Sequence, residues 1–400
     1  MEDYIKPRHA IQNVFNNKDA VNLPIKPIEL SPISFRGVPK VKYLSYDVLP
    51  PKVDFIAIVW TYHEFIALNH IFFPSENLSS EINHSKWSLY QDEYETFIDS
   101  VMLEGNVDPI PSMALKAWGK IAVFELRSGK KLLILKSDMN LRTDGLIKSI
   151  TNSSAQKLLN LEINQVPLTV LIEKMIKDMR PELIITTGIA GGTILDDVIG
   201  TVNVTNEVFC SLEPYKNVNF NIATYKGNPL NNKTVSCDWN VNSTLDNTIL
   251  QKIPVTETEL ANIVEKINKK LSLSPPITLE SVMNKAMDCT IHPKFNNYCS
   301  NKPMMSTNRY EIADTSGNDA KYSALEMDDY FVAVVAKYMD IPFGIIRNIS
   351  DPVANHNIGN LSGQLLQEVQ KAWTYNIYVE YGLYTSINSA IAILHLLSDL

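Results

Sequence analysis

The feature that most constrains this chain is an alternation of two hydrophobic periods. Short apolar runs rich in branched residues ("VDFIAIVW", "KIAVFEL", "KLLILK", "ELIITTG", "DVIGTVNV" and "FGIIRNI") are interleaved with longer segments of helical period, notably "LTVLIEKMIKDM" and "ALEMDDYFVAVVAKYM". Continuous apolar runs of strand length suit strands covered on both faces, whereas the longer segments suit helices that lie on those faces. The pattern predicts an α/β layered domain around a largely buried sheet. With 400 residues, 45% of them hydrophobic, there is enough apolar material for a large core in one elaborated domain or two.

The alternation is not uniform. The first 52 residues carry scattered prolines (Pro7, Pro24, Pro27, Pro32, Pro39, Pro50 and Pro51), which favour extended chain over helix, and read as an arm wrapped on the domain or on a partner. Residues 53–400 read as the main domain. Between about 209 and 304 the regular alternation fails, and Asn-rich loops surround one predicted helix, "ELANIVEKINKKL", as in an insertion or lid. The late apolar run "INSAIAILHLL" is too short to cross a bilayer and reads as a core helix. No repeat of solenoid length is visible.

Composition excludes several classes. A formal net charge of -8 gives no basic field for a long nucleic acid. The four cysteines, Cys210, Cys237, Cys289 and Cys299, have neither C-x-x-C spacing nor a His at a metal-ligand interval, so reduced structural thiols are expected and no metal site. The amino terminus lacks the apolar core and small-residue cleavage site of a secretory signal, so a cytoplasmic protein that avoids membranes is expected. The glycines of "TTGIAGG" follow no G-x-G-x-x-G order and no Walker lysine is present, which supports neither a dinucleotide site nor a P-loop. No cofactor is implied.

In layered sheets ligands usually lie beyond the carboxyl ends of the strands. The residues there are "TYHEF" after Trp60, the Gly-rich "TTGIAGG" after Ile185, and "SDPV" after Ile349, with "MSTNRYEI" ahead of the acidic "ALEMDD". Two acids, an aromatic and a glycine turn suit a small polar ligand with a flat ring. In order and spacing, "PELIITTGIAGG" followed by "ALEMDDYFVAVVAKYMDIPFGIIRNISD" resembles the paired signatures of the nucleoside phosphorylase and nucleosidase superfamily, especially the methylthioadenosine/S-adenosylhomocysteine nucleosidases. The resemblance runs from Val53 to the carboxyl terminus and is poor over 209–304. It implies a three-layer α/β/α sandwich around a mixed, partly closed sheet. It also implies cleavage of the N-glycosidic bond of a purine nucleoside, with a homo-oligomer as the common assembly.

Residue by residue, the resemblance assigns Asp351 as the acid that protonates the leaving purine, oriented by Ser350, and Glu64 as the acid that positions and deprotonates the attacking water. That division suits the chemistry, which needs a proton on the departing base and a nucleophile at the sugar. It places Met327 under the ribose and Asp328 on its hydroxyls, where relatives have the longer Glu, so Glu326 or Asp329 is a candidate helper. It places Tyr310 against the purine, with Asn308 and Arg309 on the same edge, and lines the sugar with Gly188, Ile189 and Ala190. Taken alone, Asp351 before Pro352 would read as a turn former, the acids as first-turn partners of a helix dipole, and His63 as packing. Phosphate as nucleophile is disfavoured, because "WTYHEF" lacks a glycine-and-arginine loop, Ile189 stands where a hydroxyl is common, and Asp138 in "LKSDMNL" would repel it. Arg142 is the one nearby cation. Phosphorolysis and a non-catalytic nucleoside or nucleotide sensor are the alternatives.

Overall fold

The computed structural model describes residues 41–46, 52–73, 86–90, 119–137, 167–212, 223–241, 245–288, 290–307, 318–355, 357–398 and 400. Tyr310, Asn308, Arg309, Asp138, Arg142 and Cys289 lie outside these residues, as do most of residues 1–52.

The predicted strands belong to one mixed sheet that has 13 strands among the described residues. One half runs β1 (Lys42–Leu44), β4 (Gly119–Glu125), β5 (Lys131–Ser137), β2 (Phe55–Val59) and β6 (Leu183–Gly191), with β3 (Ser88–Tyr90) also on β4. Strands β5, β2 and β6 are mutually parallel. At β6 the sheet branches. One branch is β15 (Phe343–Asp351), parallel to β6, followed by β7 (Val202–Thr205) and β12 (Phe295–Asn297). The other is β14 (Leu325–Glu326), β13 (Met304–Thr307), β8 (Glu207–Ser211) and β11 (Thr234–Ser236). Because β7 leads into β8 through Asn206 alone, the two branches curl towards each other; the link is covalent, so the sheet is not closed into a barrel. Strands β9 (Thr224–Tyr225) and β10 (Asn228–Pro229) form a separate hairpin.

Strand alternation sorts the side chains into two cores, which is why the runs needed apolar residues at every position. Ile56, Ile58, Leu133 and Leu135 face one core; Phe55, Ala57, Val59, Leu132 and Ile134 face the other. The first core is covered by α2 (Pro167–Met179) and α5 (Asp329–Tyr338), the second by α1 (Tyr62–Phe72) and α6 (Gly363–Ser398). Helix α2 buries Leu168, Leu171, Ile172, Met175, Ile176 and Met179, a stripe of helical period, each side chain contributing about 1.5–3 kcal/mol. The result is the three-layer sandwich expected.

Segment 209–304 packs against this frame. It supplies β11, β12, α3 (Glu257–Leu271) and the short α4 (Leu279–Val282). Leu260, Ile263, Val264 and Ile267 of α3 form a third core with Trp373, Ile377 and Tyr381 of α6, and Tyr381 Oη donates to Glu259 at 3.1 Å. Helix α6 is therefore buried against α3 in its first half and against the sheet in its second. No described helix is long and apolar enough to cross a membrane.

Two local expectations are corrected. The glycines of "TTGIAGG" do not make a turn: β6 continues through Gly191, because three neighbouring strands take up its backbone groups. The helix expected from Ala324 begins only at Asp329, because Leu325 and Glu326 pair as strand β14.

Candidate active site at the end of β6

The carboxyl end of β6 is where the candidate residues converge. Helix α1 begins beside it, β14 pairs with it at Gly191, and β15 runs parallel to it as far as Asp351.

Glu64 sits in the first turn of α1, where Thr61 and Glu64 form a capping box. Its buried carboxylate does more than cap. Oε2 accepts from the backbone N–H groups of Trp60 and Thr61 at 2.8 and 2.7 Å; Oε1 accepts from Ile189 N at 2.9 Å and Arg347 Nη1 at 3.4 Å. Gly188 makes this approach possible. It has φ of +139°, and a Cβ there would lie 2.0 Å from Glu64 Oε1. His63, one residue earlier, is buried with its ring edge-on to Tyr378, and burial pushes its pKa down to about 4. It is a packing group, as the sequence suggested.

Arg347 was not singled out by the sequence reading. It is buried on β15 and grips Asp329 with two donors, Nε to Oδ2 at 3.0 Å and Nη2 to Oδ1. Its Nη2 also lies 3.6 Å from Glu326 Oε2, and its guanidinium 5.1 Å from the Trp60 ring centroid. Burial opposes its charge, but Asp329, Glu326 and Glu64 hold its pKa above the ordinary arginine value. One signal could have found it: a lone cation inside the apolar run "FGIIRNI" is a buried charge that must have partners.

Those partners settle where the acids of "LEMDD" point. Asp329 is fully buried on Arg347. Glu326 also turns inward: Ser306 Oγ donates to Oε1, and the backbone N–H groups of Asp328 and Asp329 donate to Oε2. Ser306 in turn accepts from Tyr330 N at 2.9 Å, tying the start of α5 to β13. Burial, reinforced by the Asp329 carboxylate, raises the Glu326 pKa well above the carboxylate range despite Arg347 and Ser306. Asp328 occupies the N-cap position of α5, yet its side chain does not cap the helix. It follows the half-buried Met327 directly.

At the end of β15 the pairing with β6 slips: Ile349 opposes Ala190 and Asp351 opposes Gly191, leaving Ser350 as an extra residue. Neighbouring strand side chains normally point to opposite faces; a bulge puts two on one side. Here Ser350 Oγ donates to Asp351 Oδ1 at 2.9 Å. Ser350 is wholly buried and Asp351 half-buried. Beyond β6, the Asp197 carboxylate accepts from Thr193 N and Ile194 N at 2.9 and 3.2 Å, and burial raises its pKa.

No protein-family model and no curated protein matches the chain. Among solved structures it is similar to futalosine hydrolase of Helicobacter pylori strain 26695, at 10% identity and a TM-score of 0.42, covering 87% of this chain and 99% of that one. It is also similar to the 5'-methylthioadenosine/S-adenosyl homocysteine nucleosidase of Campylobacter jejuni (11% identity, TM-score 0.42, 87% and 100% covered). The nucleosidase of Neisseria meningitidis in complex with methylthio-immucillin-A gives 12%, 0.40, 87% and 100%.

Proposed function

We propose that the chain hydrolyses the N-glycosidic bond of a purine nucleoside or nucleotide and releases the free base. The reading is carried by the bulge at Ser350, which turns a serine hydroxyl and the Asp351 carboxyl to one side and joins them at 2.9 Å. A hydrogen bond from the serine fixes the orientation of the carboxyl group that carries a proton to the departing purine. Met327 and Asp328 lie just past Glu326, which itself follows Leu325, the β14 residue opposite Gly191, so they take the ribose. Among the acids of that stretch the sugar ligand is Asp328, the position that matches the ribose-binding acid of the superfamily the motifs resemble; Glu326 accepts from Asp329 N and Asp329 from Arg347 instead. Glu64 serves the water. Its longest contact, Arg347 at 3.4 Å, is the one a water would replace, and Gly188, Ile189 and Ala190 form the adjoining wall. Tyr310 stacks on the base in this reading. The assembly is a homo-oligomer, the arm and the 209–304 segment are elaborations of one domain, and the site of action is the cytoplasm.

One observation favours a second reading, a binding module without turnover: the Glu64 carboxylate already accepts from four donors, which occupy the lone pairs a water would need. Purine release from adenosine, methylthioadenosine, inosine and AMP, with and without phosphate, separates the two. Release independent of phosphate is expected; release that needs phosphate makes the protein a phosphorylase, and no release under either condition makes it a sensor. Within the hydrolase reading, Asp351→Asn should lower kcat by roughly 10²–10⁴-fold with the fold intact by circular dichroism, because an amide cannot donate the proton. Wild-type turnover in that variant removes Asp351 from the chemistry. Glu64→Gln should also lower kcat.

A further inference from the structure

Asn348 lies between Arg347 and Ile349 on β15, and it is completely buried. Among the described residues neither its Nδ2 nor its Oδ1 has a hydrogen-bond partner. Leaving both ends of a primary amide dry in an apolar interior is strongly unfavourable, so buried polar groups of this kind mark ordered water or ligand.

Its surroundings define what it holds. By strand alternation Asn348 shares a face with Ile346, in the core beneath α6, and it opposes Ile189 on β6 and Val202 on β7. Helix α6 crosses this face from Tyr378, packed on Ile189, to Asn388, whose Nδ2 donates to Gly200 O and Gln251 O. The intervening turn carries Gly382, Thr385 and Ser386, and both hydroxyls donate to Gly382 O, at 3.0 and 2.7 Å. Their remaining lone pairs are acceptors. Ser350 stands two residues beyond Asn348, its own proton directed to Asp351.

We propose that Asn348 is a positioning residue for Asp351: its side chain holds a buried water under α6 that donates to Ser350 Oγ and so fixes the serine hydroxyl as donor to Asp351. Such a water has the two to four polar partners that a stable internal water requires. A hydroxyl that accepts on one side is polarised as a donor on the other, which strengthens the bond to Asp351 Oδ1. The arrangement explains why a neutral amide, rather than an apolar residue, stands in the middle of this strand. Its consequence for turnover rests on the hydrolase reading above; the link between Asn348 and Ser350 does not.

The test uses the full chain with Asn348→Leu, Ser350→Ala and the double variant, each read by thermal unfolding and by purine release across pH. The thermal shift caused by Asn348→Leu should fall by at least half when Ser350 is already Ala; equal shifts in both backgrounds overturn the link. Asn348→Leu should lower kcat about tenfold, through a misplaced acid, with KM within twofold. The alkaline limb of the profile should move to higher pH, since a carboxylate that loses a fixed donor is a stronger base. A kcat and pH profile coincident with wild type overturn the positioning role. If the leucine is not accommodated, Asn348→Ala removes the amide without adding bulk and is read the same way. A wild-type protein that releases no purine defeats the hydrolase reading, and the unfolding cycle then decides the Asn348 to Ser350 link alone.

Discussion

Arg347 and Asn348 are neighbours on one strand, equally buried, and their surroundings are opposite. The face of β15 towards α5 gives Arg347 the carboxylates of Asp329, Glu64 and Glu326, the Ile189 carbonyl and the Trp60 ring. The face towards α6 gives the Asn348 side chain no hydrogen-bond partner among the described residues. The difference follows the size of the penalty. An unpaired guanidinium inside a protein is prohibitive, so a fold that buries one must bring acids to it. An amide can be completed by water, and that leaves room for a mobile component next to the chemistry.

The sharpest way to break the comparison is Arg347→Met. It strands two or three acids in the interior and should cost about 3–5 kcal/mol in urea unfolding, with Arg347→Met/Asp329→Leu recovering a large part of the loss. A single variant within experimental error of wild type would mean that the acids are not held by the arginine. Next in size is the α6 face. The His63 pKa is about 4 in the fold against 6.5 for the free side chain, so the unfolded chain binds the extra proton between those values. Its contribution is therefore complete above pH 6.5 and lost as pH falls towards 4, a change of up to about 3 kcal/mol. His63→Phe should flatten the stability profile over that window, and an unchanged slope would assign the acid sensitivity elsewhere. The smallest effect is on the α5 face and has the opposite sign. Glu326 keeps its proton in the fold above the ordinary value of 4.5, so its contribution declines as pH rises from there. Glu326→Gln should gain in stability over wild type as pH rises from 4.5. A constant difference across that range would show that Glu326 does not titrate in the fold.

Much of the frame was legible because the two periods are physical consequences of two-sided burial. "DFIAIV" and "KLLILK" could only be covered on both faces, and they are. The strand ends could be read too, which is why Glu64, Ser350 and Asp351 stand out as candidates from position and motif order. What escaped was pairing across long separations. The acids of "LEMDD" looked like one group offered to a sugar, whereas Glu326 belongs to a strand and Asp329 to an arginine 18 residues away. Periodicity ranks residues by face and does not say which partner waits there. The bulge at Ser350 was equally invisible, since it arises from the register of β15 against β6 rather than from any residue in "RNISD".

The contact between Arg347 and Glu64 spans 283 residues of sequence, and that between Glu64 and Ile189 spans 125. During synthesis, then, Glu64 emerges long before the groups that will hold it. The carboxylate stays hydrated until β15 has left the ribosome and docked beside β6. Such non-local closure is slow compared with forming α1 or α2. The site is thus among the last parts of the molecule to exist, and a nascent chain just short of 347 residues contains Glu64, Glu326 and Asp329 but neither Arg347 nor Asp351.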